Sequence, residues 1–397
     1  MFSYYTAGES HGPQVTAIIK TLPAGLAIDI EKINEQLMRR QGGYGRGGRM
    51  EIETDKIEIK SGLRHGLTIG SPLTLIVKNK DWENWREVMA IEGDKESSND
   101  REKVTRPRPG HADLAGAIKY NFSDIRNVLE RASARETAAR TAVGSVCRQF
   151  LSQFGIKIYS HVTRIGEVES PKYDGEESSE DFFAAVEASD LRCRSKKKEK
   201  EMKEMIDRWR ERGESAGGVF ELIIAGVPPG LGSHVHWDEK LEAKLSGAMM
   251  SIQAIKGVEI GAGFGGAALP GSKFHDEIHR DEENGLYRCS NNAGGFEGGM
   301  TNGEIIRVKA AMKPIPTLAQ PLSTFDIETG APAEAARERA DICAVPSASI
   351  VGEAVAAIEI AQSFADKFSG DHMEDIVASY NNYRKRISDK FLEPSPE

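Results

Sequence analysis

Two stretches of the chain repeat one pattern, and this repeat constrains the fold more than any other feature. Residues 12–26, GPQVTAIIKTLPAGL, align with residues 217–231, GGVFELIIAGVPPGL, which lie 205 positions further along. Each copy has a glycine, an apolar run that predicts a β-strand, and a Pro-x-Gly-Leu turn followed by a helical pattern. We therefore expect two related units, starting near residues 12 and 217, packed about a pseudo-twofold axis around one shared core.

Composition and charge exclude several classes of protein. A chain of 397 residues can bury a large core, and 52 basic against 61 acidic residues give a net charge of −9. This balance argues against general nucleic-acid binding, which needs a broad positive field, and favours a local site for a small anion. No apolar run approaches the length of a membrane span, and the N-terminus lacks the pattern of a secretory signal. We expect a cytoplasmic protein without a membrane partner.

The cysteines predict neither a zinc site nor a disulfide scaffold, because they are scattered without short pairings. We therefore expect no metal. The four residues are Cys147, Cys193, Cys289 and Cys343.

Basic residues concentrate in residues 105–140, among small side chains. Guanidinium groups suit a bidentate grip on phosphate or carboxylate. If the segment after Asn127 is one helix, Arg131 and Arg135 form an i,i+4 pair on one face, which a solvated helix with acidic partners would also explain. The preceding RPRPGH, in which Gly110 leads into His111, favours a pocket wall. The basic residues and histidine of this stretch are Arg106, Arg108, His111, Lys119, Arg126, Arg131, Arg135 and Arg140.

Two glycine-flanked segments in the first 50 residues carry reactive side chains. GESHG, residues 8–12, places Ser10 and His11 directly before a predicted strand, where functional residues are common. Covalent serine catalysis is disfavoured because adjacent residues rarely pair as nucleophile and base, and no GxSxG elbow is present. RRQGGYGRGGRM, residues 39–50, is either a disordered basic linker or a mobile flap that closes over an anion, and we favour the flap.

Three further segments complete the pattern. A glycine-rich turn at residues 294–302, followed by a strand and Lys313–Thr317, suits a phosphorylated flavin better than a nucleoside triphosphate, because no Walker sequence is present. The charged segment at about 195–213 predicts an exposed helix without chemistry. Asp341 could be a helix cap, an ion-pair partner or a proton-transfer carboxylate.

Taken together, the ordered motifs resemble the chorismate synthase family in its bacterial form. They are GESHG, RRQGGYGRGGRM, RPGHADL, ERASARETAARTA, SIQAIKGVEIG, GGMTNGE and the RxDxCAVP segment, and the resemblance runs from Met1 to about Phe364. Two positions depart from the family pattern, since Ala340 stands where serine is common and Ser347 follows the proline of CAVP. The resemblance implies an α+β fold with one large domain over residues 1–397, a β-α-β sandwich with internal pseudo-twofold repeat, and a homotetramer.

The resemblance also implies the reaction. The family converts 5-enolpyruvylshikimate 3-phosphate to chorismate by 1,4-anti-elimination of phosphate, with reduced FMN and no net redox change. By position, His11 would act as an acid toward the departing phosphate and His111 would protonate or stabilise the reduced flavin. Asp341 would help the flavin N5 take up the ring proton. NADPH is a possible electron source, and a separate flavin reductase a possible partner.

The resemblance further assigns binding residues. Substrate contacts are expected at Ser10, Arg40, Arg46, Arg108, Ser133 and Arg135, with Arg40 and Arg46 also facing a reduced nicotinamide. Flavin contacts are expected at Arg131, Ala132, Ser133, Gln253, Ala254, Gly298, Lys313, Pro314, Ile315, Pro316, Thr317 and Arg339.

Two other functions remain open from the sequence. A flavin-dependent oxidoreductase could use the same pocket for net redox chemistry. An RNA-binding protein could use the arginine and glycine segment to follow a nucleic-acid backbone, although the net charge of −9 argues against it.

Overall fold

A computed structural model describes residues 3–47, 54–93, 103–173, 175, 179–281, 285–336 and 341–392. Its strands are β1 (Ser3–Ala7), β2 (Gln14–Lys20), β3 (Ile57–Ser61), β4 (Leu63–Arg64), β5 (Leu67–Thr68), β6 (Leu73–Lys78), β7 (Lys157–Ile165), β8 (Val168–Glu169), β9 (Gly218–Ala225), β10 (Ile255–Ile260), β11 (Ile278–Asp281), β12 (Gly285–Arg288), β13 (Phe296–Glu297), β14 (Met300–Thr301), β15 (Ile306–Met312), β16 (Ser323–Phe325) and β17 (Pro332–Glu334). Its helices are α1 (Ile30–Gln41), α2 (Trp82–Trp85), α3 (Asp113–Tyr120), α4 (Arg126–Ala132), α5 (Thr137–Ser152), α6 (Ser179–Glu187), α7 (Lys196–Glu211), α8 (Leu241–Met250), α9 (Gly263–Gly266), α10 (Gly271–Phe274), α11 (Val345–Lys367) and α12 (Met373–Ile387).

The strands of the two similar sequence stretches lie in two different antiparallel sheets, β2 in one and β9 in the other. One has the strand order β1-β2-β6-β3 and the other β10-β15-β9-β7-β8 among the described residues. The alternation predicted for the first unit is present, because Val15, Ala17 and Ile19 of β2 are buried. Helices α5 and α1 pack on the first sheet, helices α11 and α8 on the second, and α5 packs against α11. The main core cluster contains buried residues of both sheets and of these helices.

The turns that follow β2 and β9 have the same hydrogen bonds. In the first, the Thr68 hydroxyl donates to the Pro23 carbonyl at 2.6 Å and accepts from the Leu26 amide at 2.9 Å. In the second, Thr301 makes the corresponding bonds at 2.7 and 2.8 Å. The glycines of the two turns have φ values of 83° and 84°, a left-handed conformation that favours glycine.

The sequence explains both where helix α1 begins and which of its side chains are buried. The Asp29 carboxylate accepts from the Glu31 and Lys32 amides at the N-terminus, which satisfies two donors that the helix leaves unpaired. Ile33 and Leu37 are fully buried, as the apolar periodicity predicts.

Helices α5 and α11 approach each other closely at a glycine. A Cβ atom at Gly144 would lie 2.5 Å from the Cα atom of Ala354, so any larger residue would push the helices apart. Helix α11 also has the length and hydropathy of a membrane span, although the sequence suggested no such segment, and 78% of its most apolar window is buried inside the protein. Its apolar surface is therefore largely used in the core.

The charged segment near residues 195–213 is helical, as predicted. Helix α7 begins after Ser195, whose hydroxyl accepts from the Lys198 amide. Met202, Met205 and Ile206 are buried while the charged residues lie outside. The hydrophobic periodicity therefore located this helix correctly.

Candidate active site

The GESHG turn is held against helix α4 by a buried carboxylate. The Glu130 carboxylate accepts from the His11 amide at 2.8 Å, and both its oxygens lie 2.9 Å from His11 Nδ1. The Ser10 amide donates to the Glu130 carbonyl at 3.1 Å, and the Ser133 hydroxyl lies 3.1 Å from that of Ser10. The structure thus brings Ser10, His11 and Ser133 together. With Nδ1 turned to Glu130, Nε2 is the nitrogen that can serve a ligand.

Electrostatics favour the ionised form of Glu130. Burial alone would raise the pKa of this carboxyl, but the His11 ring, the His11 amide and the Arg126 guanidinium together lower it. The Glu130 side chain has no exposed surface, whereas that of His11 is 11% exposed. A buried anion therefore lies opposite a partly accessible imidazole.

An indole ring forms one wall beside His11. The His11 and Trp85 rings stack with centroids 3.9 Å apart, and the Arg126 guanidinium lies 5.2 Å from the Trp85 centroid. Trp85 and Arg126 also line a cleft of about 570 Å³, together with Lys103 and Arg106. Three cations on one cleft favour an anionic ligand next to the histidine.

Two predicted substrate arginines share a buried carboxylate. Arg135 donates to both oxygens of Asp55, at 2.6 and 2.8 Å, and Arg40 donates to one of them at 2.9 Å. Arg135 also donates to Asn79 Oδ1 at 2.7 Å, and Arg40 to the Thr137 hydroxyl at 3.2 Å. Two guanidiniums against one carboxylate leave a net positive charge, which suits a bound anion.

The helix predicted to run past Arg135 is interrupted, so the expected i,i+4 pair with Arg131 is wrong. Helix α4 ends at Ala132, Ser133 is extended at φ −61° and ψ 143°, and a short 3₁₀ turn follows. The Ser133 hydroxyl accepts from the Arg135 amide, a local cap that competes with helix continuation. Arg131 consequently reaches the Thr6 and Gly8 carbonyls, at 3.2 and 3.0 Å, while Arg135 is buried.

The RPGH turn forms a second histidine and carboxylate pair. His111 Nδ1 lies 2.5 Å from the buried Asp113 carboxylate, which also accepts from Arg108 Nε at 2.9 Å. Burial opposes ionisation of Asp113, but His111 and Arg108 hold its pKa well below the usual range. Gly110 has φ 78°, which allows the turn. Arg108 also donates to the Thr317 hydroxyl at 3.1 Å, so this turn contacts the predicted flavin segment.

Among the other residues expected to contact the flavin, Ala254 is hydrogen-bonded to that segment and Gln253 directly precedes Ala254. The Lys313 ammonium donates to the Gly110 carbonyl at 2.5 Å, and the Lys313 amide donates to the Ala254 carbonyl at 2.9 Å. Pro314, Ile315 and Pro316 line a second cleft of about 410 Å³. The structure therefore brings residues 253–254, 313–317 and the RPGH turn together.

Gly298 belongs to a different turn. It has φ 60° in the turn between β13 and β14, where a Cβ atom would lie 3.8 Å from His234. The hydrogen bonds and ion pairs of the described residues do not connect Gly298 to Ala254 or Lys313. Arg339 and Ala340 lie outside the described residues.

The arginine and glycine segment is anchored over residues 42–47. Arg46 pairs with Asp341 at 2.6 Å, and the Gly47 amide donates to the same carboxylate at 2.7 Å. The Tyr44 hydroxyl bonds Asp207 of α7 at 2.8 Å. These contacts join residues 44–47 to α7 and to Asp341, and the rest of the segment, residues 48–50, lies outside the described residues. Of the three interpretations of Asp341, the ion pair is present.

Comparisons with known proteins decide the family. The family model described as chorismate synthase matches residues 2–365. The chain belongs to the chorismate synthase family. A chorismate synthase of Desulforamulus reducens is 54% identical, over 98% of this chain and 99% of that protein. One of Aquifex aeolicus is 55% identical, over 97% and 98%. A structure titled "Crystal Structure of Chorismate Synthase" matches with TM-score 0.78 and 43% identity, over 97% of this chain and 98% of that one.

Several residues of the site were not predicted from the sequence. Asp55, Asp113 and Glu130 are carboxylates that orient predicted cations, and Trp85 stacks on the catalytic candidate His11. Only Asp113 had a local signal, since it lies two residues after His111. The others are joined to their partners across long sequence distances, which a single sequence does not reveal.

Proposed function

We propose that this chain forms chorismate from 5-enolpyruvylshikimate 3-phosphate by 1,4-anti-elimination of phosphate, with reduced FMN, as the last common step toward the aromatic amino acids. Family membership makes it a carbon–oxygen lyase acting on phosphates. The observation that carries the detailed proposal is the pairing of both histidine candidates with buried carboxylates, His11 with Glu130 and His111 with Asp113.

Substrate binding requires several cations, because the substrate has a phosphate and two carboxylates. Arg40 and Arg135 offer a net positive charge around Asp55, and Arg40 Nε is buried without a hydrogen-bond partner among the described residues. A buried donor without an acceptor is costly, and a ligand oxygen would satisfy it. Arg108, Ser10 and Ser133 would complete the polar contacts, and Arg46 would add a cation from the flap.

We assign His11 the role of acid toward the leaving phosphate. Breaking the C–O bond builds negative charge on a group that is already an anion, so a proton donor next to cations lowers the barrier. The Glu130 carboxylate fixes the orientation of the ring, and Trp85 limits access of water to one face of it. In such an arrangement a carboxylate holds one ring nitrogen of the histidine, and the other nitrogen transfers the proton.

The residues of the flavin group fit FMN. Gln253 Oε1 is buried without a partner among the described residues, and so is available to a flavin N–H donor. Ala254 has φ 67°, a conformation uncommon for a residue with a side chain and often found at ligand sites. Lys313 and Thr317 supply an ammonium and a hydroxyl suited to a phosphate. The reduced flavin would supply electron density to the reacting ring.

His111 and Asp341 would handle the remaining protons. His111 Nδ1 lies against Asp113, so Nε2 is the nitrogen that can exchange a proton with the flavin. Asp341 is engaged by Arg46 and the Gly47 amide, one at each oxygen, and each oxygen has a further lone pair that can accept a proton. NADPH would contact Arg40 and Arg46 if the chain reduces its own flavin.

The finer architecture is also part of this proposal. The matching hydrogen bonds of Thr68 and Thr301 support a pseudo-twofold repeat, and helices that pack between two sheets support a β-α-β sandwich in one domain over residues 1–397. The family resemblance is the basis for proposing a homotetramer, a cytoplasmic location and a separate flavin reductase.

An anaerobic assay tests the function. The protein is incubated with the substrate and chemically reduced FMN, and phosphate and chorismate are measured together. Equal amounts of both products are expected, and phosphate released without chorismate would overturn the proposal. A parallel reaction with oxidised FMN and NADPH shows whether a separate reductase is needed.

A further inference from the structure

The hairpin of β11 and β12 places three side chains with different metal-ligand atoms on one face. Glu277 immediately precedes β11, His279 lies within it, and Cys289 immediately follows β12. Ile278 pairs with Arg288, and the Cys289 amide donates to the Glu277 carbonyl at 3.1 Å, so Glu277 and Cys289 also face each other. Residues opposite each other across a strand pair, and residues two apart along a strand, share one face of the sheet.

The spacing of these groups approaches that of a coordination sphere. One ligand atom from each of Glu277, His279 and Cys289 lies within 4.8 Å of the other two. Glu277 Oε2 and His279 Nε2 are 3.2 Å apart. Two ligands of a tetrahedral zinc ion, bound at about 2.0–2.1 Å, lie roughly 3.3 Å apart. The oxygen and nitrogen therefore already have this separation, and the exposed thiol can approach by rotating its side chain.

The base of the hairpin is fixed by bonds that do not involve these ligands. The Asp276 carboxylate accepts from the Ser290 hydroxyl at 2.5 Å and from the Asn292 and Ala293 amides at 2.8 and 2.9 Å. Arg288 binds both carboxylate oxygens of Glu297, at 2.6 and 2.9 Å. A fixed base means that little backbone ordering is needed when an ion binds.

We propose that Glu277, His279 and Cys289 form a binding site for one Zn²⁺ ion, with water as the fourth ligand. A nitrogen, sulfur and oxygen donor set suits zinc, whereas Mg²⁺ and Ca²⁺ take oxygen ligands. All three side chains are exposed, so the ion can enter from solvent. Binding as thiolate releases the proton of Cys289 to the buffer. The scattered cysteine spacing predicted no metal, because the site depends on strand pairing.

Zinc titration of the full chain tests this site. The protein is stripped of metal with a chelator, kept reduced, and titrated with Zn²⁺ in competition with a chromogenic chelator. We expect one Zn²⁺ per chain, and at least about tenfold weaker binding for Cys289→Ser and for His279→Ala, because each removes a direct ligand. Titration with Co²⁺ should give a sulfur-to-cobalt absorption band that Cys289→Ser abolishes.

His236→Ala is the matched control. His236 is an exposed histidine that lies 2.5 Å from the Asp238 carboxylate, without a cysteine in the pair. The His236→Ala variant should bind Zn²⁺ as tightly as the wild type. The proposal is overturned if the wild type binds no Zn²⁺ below millimolar concentration, or if Cys289→Ser binds it as tightly as the wild type and still gives the cobalt band.

Discussion

Replacing Glu130 by glutamine tests the role of the buried carboxylate beside His11. The change keeps the size and one acceptor oxygen but removes the negative charge opposite the imidazole. Glu130 accepts from the His11 amide at 2.8 Å and lies 2.9 Å from Nδ1, in a position with no exposed surface. We expect Glu130→Gln to fold normally and to lose turnover.

The magnitude follows from the contacts. A hydrogen bond to a charged group contributes about 1.5–3 kcal/mol. Each 1.36 kcal/mol of barrier is a tenfold change in rate, so losing that charge should lower kcat by roughly 10- to 150-fold. FMN binding should change little, because no hydrogen bond or ion pair of the described residues joins the Glu130 side chain to residues 253–254 or 313–317. The measurement is steady-state turnover at saturating substrate and reduced FMN under anaerobic conditions.

Glu136→Gln provides a matched control. Glu136 lies six positions further along the chain, beyond the end of α4; it accepts from the Thr6 hydroxyl at 2.8 Å and pairs with Arg140 at 2.9 Å, and no hydrogen bond or ion pair of the described residues joins it to His11. Its substitution should leave kcat within about threefold of the wild type, because the change leaves the contacts of His11 with Glu130 in place. If Glu130→Gln retains wild-type turnover, or if both variants lose turnover equally, the assigned role of Glu130 is refuted.

Three further variants test other parts of the molecule. Asp55→Asn leaves two buried guanidiniums without their anion and should lower the free energy of unfolding by about 3 kcal/mol, seen as a lower midpoint in thermal unfolding; an unchanged midpoint would contradict the cluster. Asp341→Asn should speed hydrogen exchange of the Gly47 amide roughly tenfold through a weaker charge-assisted bond, and unchanged exchange would show that the carboxylate does not hold the flap. Burial raises the pKa of Glu359 to about 7, so the stability from its protonated form is present at low pH and lost as pH rises through 7. Glu359→Gln should therefore raise the unfolding temperature at pH 8 more than at pH 5, and equal effects at both would contradict this.

Local sequence patterns predicted the strands and helices correctly where a single physical effect, such as hydrophobic periodicity, determined them. The apolar alternation of β2, the periodicity of α1 and the charged surface of α7 all appear where the sequence placed them. The two Pro-x-Gly-Leu stretches that the sequence placed after β2 and β9 form turns with similar hydrogen bonds. Short-range steric and hydrophobic terms decide these features, so a single sequence contains them.

The site was predictable by residue type but not by arrangement. The sequence indicated which arginines and histidines matter, yet Ser133 was expected inside a helix and instead breaks it through its own side chain. Asp55 lies 80 positions from Arg135, and Trp85 lies 74 positions from His11. Contacts at such separation depend on how sheets and helices pack, which motif spacing does not encode.

The most direct test of the central claim is the number of chorismate molecules formed per reduced flavin. Under anaerobic conditions, with excess substrate, a small known amount of reduced FMN and no nicotinamide, the account predicts many chorismate and phosphate molecules per flavin, with the flavin still reduced at the end. Product formation that stops at one per flavin, with the flavin oxidised, would show net redox chemistry and contradict the account.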